Sequence, residues 1–177
     1  MKVMIEKILL VQTLKRLPRM GWLIKGVQEP ESIADHSFGV AFITLVLADV
    51  LEKRGKRIDV EKALKMAIVH DLAEAIITDI PLSAQEFVDK DKAEALVFKK
   101  VFPEFYELYR EYQECSSPEA QLVRIADKLD MILQAYQYEL SGNKNLDEFW
   151  EAIEEIKRLE LSKYLEDILN SVGRLKA

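Results

Sequence analysis

Two histidines and one cysteine are all that this 177-residue sequence holds of the side chains that most readily bind soft or borderline metals. Cys115 stands alone, so no disulfide can form within the chain, and a reducing compartment suits it. Glycine and proline are few, six and five; turns are sparse and no glycine-rich phosphate loop is present. Asparagine is scarce while Glu and Lys are abundant, a balance common in thermophile proteins. Positive charge is not in excess either: 25 basic against 31 acidic side chains leave a net charge of −6. That argues against a broad nucleic-acid surface or a polybasic membrane patch. It leaves room for one small anionic ligand, because a single arginine or metal ion can dominate the field at a site. Long apolar runs are also missing. The longest nearly uncharged stretch, residues 38–50, contains Asp49 and is too short to span a bilayer. The first sixteen residues are charged throughout and lack signal-peptide order. The expectation is a soluble, cytoplasmic protein with neither a membrane nor a nucleic-acid partner.

What is there fits one domain over residues 1–177: 49% of the side chains are apolar and 32% charged, enough for a substantial core. Strand alternation is nearly absent, so the fold class is all-α, a compact bundle of many helices. Residues 3–16 read as a surface helix, and Pro18 and Gly21 then break the pattern into a loop. Ser32, with Asp35 three residues on, caps a helix running to about Lys53. Its residues from Phe38 to Leu51 are apolar all round, which predicts burial on most sides at the centre of the bundle. Gly55 ends it, and Asp59 caps the next helix, which reads to about Ile77. Residues 84–101 and 103–113 are helical by pattern. Ser117 and Pro118 start a helix to about residue 140, closed by Gly142. Two further helices, about 145–158 and 161–172, read as packing elements against the bundle or against a second copy.

The chemistry concentrates in residues 64–81, LKMAIVHDLAEAIITDIP. His70 and Asp71 stand side by side in an apolar segment, followed by Glu74 and Asp79. Imidazole and carboxylate are ligands that divalent metals accept, and burying them without a partner would be costly. His70 and Glu74 are four apart and Asp71 and Glu74 three apart, which brings the groups onto adjoining helix faces. Elsewhere the local readings are plainer. His36, in the first turns of its helix, reads as a hydrogen-bonded structural histidine. Asp127 sits roughly 140° from the centre of its helix's apolar stripe at about 100° per residue, a place for a salt-bridged or solvated carboxylate. Trp22 reads as a core plug and Arg19 as a solvated charge.

Taken in order, however, His36, His70–Asp71 and Asp127 match an H…HD…D pattern that resembles the HD-domain metal-dependent phosphohydrolases. RMGW at 19–22, PESIADHS at 30–37, HDLAE at 70–74, DIP at 79–81 and ADKLDMILQA at 126–135 resemble the small 5′-deoxynucleotidase branch of that family. The similarity runs from Arg19 to about Glu139 in the family's order. Two departures stand out. Thr78 occupies a place where the family often has Gly, and Arg19 precedes Trp22 by three where some relatives have the two adjacent.

The resemblance implies an HD-domain bundle with a divalent metal between its central helices, held by His36, His70, Asp71 and Asp127. The ion would be Mn, Co, Ni, Fe, Zn or Mg. Glu74 and Asp79 would then be catalytic, positioning water or moving a proton. Arg19 would bind the phosphate and Trp22 would shape the sugar pocket. The implied activity is hydrolysis of deoxyribonucleoside 5′-monophosphates to deoxynucleoside and phosphate, by a homodimer. The alternatives are an HD hydrolase of another phosphate ester, such as a nucleoside triphosphate or cyclic nucleotide, and a non-catalytic helical binding or scaffold module.

Overall fold

The computed structural model describes residues 2–176. Among these there is no strand, only an isolated antiparallel bridge between Pro18 and Ser32. Eleven α-helices follow one another, joined in places by short 3₁₀ turns: α1 (Lys2–Val11), α2 (Met20–Ile24), α3 (Ile33–Lys53), α4 (Val60–Val69), α5 (Glu74–Ile77), α6 (Lys90–Val101), α7 (Tyr106–Glu114), α8 (Pro118–Leu140), α9 (Asp147–Trp150), α10 (Ala152–Lys157) and α11 (Glu166–Gly173). The all-α fold class expected from the sequence is the one observed.

Helix starts follow local chemistry. Ser32 Oγ accepts from the Asp35 backbone N–H at 3.1 Å while Asp35 Oδ2 accepts from the Ser32 N–H at 2.9 Å, a closed capping box. Asp59 caps α4 and Ser117 caps α8, each through its side chain, with Pro118 at the first turn. Such a cap stabilises its helix by about 1 kcal/mol. Gly55 and Gly142 follow helix ends at positive φ, 76° and 95°, where a side chain would be strained.

Helices α3, α4 and α8 pack together as the central trio, with α7 and α10 laid against α8. Their shared core includes Val40, Leu47, Leu51, Met66, Leu122, Ile125 and Ile132, all buried. Each side chain of this size stabilises the fold by about 1.5–3 kcal/mol when removed from water. A second apolar cluster joins α6 and α7 to the start of α3, where the Phe98 ring stacks on Tyr109 at 4.2 Å. A third holds Trp22, Val27, Ala135 and Leu146.

Several expectations need correction. The central helix α3 is buried on one face only: Phe38 is 75% exposed and Phe42 58%, and Leu45 and Val46 are also exposed. Its apolar ring is a buried stripe plus an exposed one. At 21 residues and a mean hydropathy of 1.6, α3 is also long and apolar enough to cross a membrane by length and composition alone. The 38–50 run understated it by omitting the ends. The loop after Pro18 contains the short helix α2. The helix expected to run to Ile77 stops at Val69 and resumes at Glu74, because residues 70–73 turn more tightly. There Leu72 N–H bonds to Val69 O and Glu74 N–H to Asp71 O, both across three residues. The helix expected from residue 84 starts at Lys90, where Asp89 caps it by accepting from the Lys92 N–H. The last two expected helices are divided into α9, α10, a 3₁₀ turn and α11.

Candidate metal centre and cleft

Three helices bring the chemistry to one point. His36 comes from the first turns of α3, His70 and Asp71 from the tight turn ending α4, and Asp127 from α8. The turn at His70 lets its Nδ1 bond the Ala67 carbonyl at 2.7 Å, which aims Nε2 at the shared centre. His36 Nε2 lies 3.2 Å from Asp127 Oδ1 and 3.7 Å from Asp71 Oδ2, and His70 Nε2 lies 3.2 Å from Asp71 Oδ2. The imidazole centroids are 5.5 Å apart.

Spacing alone made Asp127 a salt-bridged or solvated carboxylate; it is paired, with Lys128 Nζ 3.6 Å from its Oδ2, but not solvated. It is 8% exposed, because α8 is covered on several sides and its flank faces α3 and α4. Arg19, read locally as a solvated charge, is also drawn in: its Nη1 stands 3.4 Å from Asp71 Oδ2. Backbone bonds from Arg19 N–H to Glu31 O (3.0 Å) and from Ile33 N–H to Leu17 O (2.9 Å) tie its loop to the start of α3.

Electrostatics favour charged carboxylates at this centre. Burial works against ionised Asp71, but His70, Arg19 and His36 around it hold its pKa below the usual range. Asp127 is lowered too, by Lys128 and both imidazoles against the effect of burial. Burial and the Arg19 charge disfavour the His36 imidazolium, yet Asp127 and Asp130 outweigh them and push its pKa up to about 9.

The donor set fits a divalent cation. His36 Nε2 and His70 Nε2 are both buried and have no hydrogen-bond partner, which is uncommon for polar atoms unless an ion or water satisfies them. Two imidazole nitrogens with two carboxylates neutralise a 2+ charge and leave coordination positions open. His36, His70 and Asp71 offer ligand atoms within 4.8 Å of one another, and Asp127 adjoins through His36.

Above this centre opens a cleft of about 650 Å³, with Arg19, Trp22, Asp79, Lys90, Lys128 and Phe149 among its walls. Asp79 reaches the cleft, and its Oδ2 also accepts from the Met20 N–H at 2.7 Å, fastening the start of α2 beside Arg19. Glu74 sits deeper and is fully buried. Its Oε1 is 3.1 Å from Lys90 Nζ, while Oε2 has no partner. Burial and the neighbouring Asp71 push the Glu74 carboxyl well above its ordinary pKa, with Lys90 and Arg19 opposing them. Trp22 is 1% exposed, packed on Phe149 at 4.1 Å between ring centroids, with its Nε1 donating to Glu31. It is the core plug its composition suggested and one wall of the cleft as well.

Some contributors escaped the sequence reading. Helices α9 and α10, expected only to pack, line the far side of the cleft through Glu148, Phe149 and Glu155. Lys90 reaches Glu74 from a helix that showed no metal-type cluster. The Tyr112 hydroxyl donates to Asp127 Oδ2 at 3.0 Å, and its ring meets His70 edge-on at 5.4 Å. Only structure brings these together, since α7 and α8 carry no shared pattern that predicts the contact. Tyr112→Phe keeps the ring and removes the donor; it is expected to weaken divalent-ion binding about tenfold, as calorimetric titration would record.

Thr78, the residue before Asp79, has φ 63° and ψ 174°, a region that only glycine occupies without strain. The place where the resemblance leads one to expect Gly is therefore one where this chain carries a strained threonine. Relief of about 1–3 kcal/mol of strain exceeds the entropy cost of an added glycine, about 0.4–1 kcal/mol. Thr78→Gly is expected to raise the thermal midpoint by a few degrees in a calorimetric scan.

The HD domain profile matches residues 11–168. The chain is similar to 5′-deoxynucleotidase HDDC2 of Danio rerio, 36% identical over 162 residues that cover 85% of this chain and 78% of that protein. It is similar to 5′-deoxynucleotidase hdd1 of Schizosaccharomyces pombe, 36% identical over 173 residues, covering 88% and 83%. The solved structure of a conserved hypothetical protein from Pyrococcus furiosus superposes with a TM-score of 0.95 at 63% identity, covering 96% of this chain and 99% of that one.

Proposed function

The chain belongs to the HD-domain family, and on that premise we propose that it is a metal-dependent phosphomonoesterase of deoxyribonucleoside 5′-monophosphates. The observation that carries this reading is the pair of buried, unpartnered imidazole Nε2 atoms, with Asp71 and Asp127 beside them, under a cleft to which Arg19, Lys90 and Lys128 bring positive charge among the carboxylates Asp79, Glu148 and Glu155. The names of the relatives at 36% identity point to the same substrate class.

In this reading His36, His70, Asp71 and Asp127 hold the ion. When bound there, a divalent ion lowers the pKa of its water and neutralises charge building on phosphorus. Arg19 takes phosphate oxygens as a forked cation; burial works against its charge, and Asp71, Asp79 and Glu74 outweigh that and keep it protonated. Glu74, with its raised pKa, serves proton transfer, and Asp79 holds the Arg19 loop and faces the cleft. Trp22 and Phe149 give the cleft an apolar wall, against which an added 2′-hydroxyl would be desolvated and unpaired. That makes selection for deoxyribose steric.

Product analysis on a panel of deoxy- and ribonucleoside monophosphates, triphosphates and cyclic nucleotides tests the assignment. Free phosphate from deoxymonophosphates, with little from the ribo forms, is expected. Release of triphosphate or of a linear nucleotide as the main product would transfer the chain to another branch of the family.

The same reading includes a cytoplasmic homodimer with no membrane or nucleic-acid partner. Phe38, Phe42, Leu45 and Val46 recur at helical spacing on the exposed face of α3, a stripe that a second copy would bury. Phe42→Glu is expected to convert a dimer to a monomer in light scattering; a wild type that is already monomeric would remove this assignment.

A further inference from the structure

One carboxylate near the centre does not face it. Asp130, one turn after Asp127 on α8, stands behind His36 with Oδ2 2.8 Å from the ring's Nδ1. A carboxylate at that distance accepts from Nδ1–H, so that the neutral ring, the form a metal takes, would present its lone pair on Nε2, the atom aimed at Asp71 and Asp127. His70 is fixed the same way by a neutral acceptor, the Ala67 carbonyl. His36 alone has a charged one.

Asp130 occupies its place only because of a glycine. A Cβ on Gly39 would lie 1.9 Å from Asp130 Oδ1 and 2.7 Å from its Cγ. Gly39 is three residues after His36, on the next turn of the same face of α3. Its φ is ordinary, so backbone freedom does not require glycine there. None of the other five glycines would place a Cβ in such a collision. The requirement is space for one carboxylate.

A competing use of these groups is a second cation, since Glu31, His36 and Asp130 also offer ligand atoms within 4.8 Å of one another. The bonds already made disfavour it. Glu31 Oε1 accepts from Trp22 Nε1 at 2.9 Å, and an Nδ1 that carries the proton toward Asp130 has no lone pair to give.

The geometry points to Asp130 and Gly39 as a positioning pair for the metal centre: Asp130 fixes the tautomer and aim of His36, and Gly39 supplies the room. This rests on the metal reading above, and Co²⁺ titration of the chelator-treated full chain separates the two. Asp130→Ala and Gly39→Ala should each weaken Co²⁺ binding about 10- to 100-fold, the range for partners of a ligating histidine, and alter the visible spectrum of the bound ion. Asp130→Asn, a neutral acceptor of the same shape, should recover part of the loss. Because Gly39 acts through Asp130, adding Gly39→Ala to Asp130→Ala should cost nothing more. Wild-type affinity and spectrum in Asp130→Ala would overturn the pair while leaving the metal centre intact. So would a further loss in the double variant, or two Co²⁺ ions per chain with one lost in Asp130→Ala. A folded wild type that takes up no Co²⁺ would overturn the metal reading itself, and the pair with it.

Discussion

Asp71→Asn is expected to leave the protein folded, strip it of its divalent ion and lower phosphate release by on the order of a thousandfold, the upper end for loss of one preorganised electrostatic group. A single oxygen makes this residue critical. Asp71 Oδ2 is 3.2 Å from His70 Nε2, 3.7 Å from His36 Nε2 and 3.4 Å from Arg19 Nη1. The amide keeps the shape and removes the charge, so the site no longer cancels a 2+ ion. Arg19 still has Asp79 and Glu74 near it, and the surrounding core is untouched. Metal content by mass spectrometry, beside a thermal scan in chelator, checks it. A variant that retains one ion per chain would show that Asp71 is not a ligand.

Glu74→Gln is expected to do the opposite to the metal and nearly the same to turnover: the ion stays, while kcat falls about 10²–10⁴-fold, the range for loss of a general acid or base. Glu74 is fully buried and lies outside the His–Asp cluster, with one oxygen on Lys90 and the other without a partner. Burial and Asp71 raise its pKa against Lys90 and Arg19, the direction that suits a group that carries a proton. Glutamine still accepts from Lys90 and packs in the same volume, but it cannot carry the proton. Parallel measurement of kcat and Co²⁺ affinity reads the two effects apart. Loss of both together would place Glu74 among the ligands and leave the proton role without a residue.

Local chemistry was legible and long-range packing was not. The caps at Ser32, Asp59 and Ser117 are hydrogen bonds within four residues, so the sequence announces them. The interruption at His70 is invisible locally, because residues 64–77 carry a helical pattern throughout, while the bonds made there span three residues instead of four. An apolar ring on α3 does not say whether bundle or water lies outside, and here Phe38 and Phe42 face outward. Asp127 shows the limit of a one-stripe argument: a helix covered on several sides buries its flanks too. The resemblance named His36, His70, Asp71 and Asp127, and the fold brings those four together. Asp130 was within reach, since Asp127 and Asp130 are three apart on one helix. Its link to Gly39, 91 residues earlier in the chain, appears only where α3 crosses α8.

The most direct test is phosphate release by the wild-type protein from deoxyribonucleoside 5′-monophosphates, assayed as purified, after chelation, and after adding back each of several divalent ions. The prediction is release that chelation abolishes and at least one ion restores. No phosphate from any deoxymonophosphate, by folded protein loaded with each ion in turn, would contradict the account.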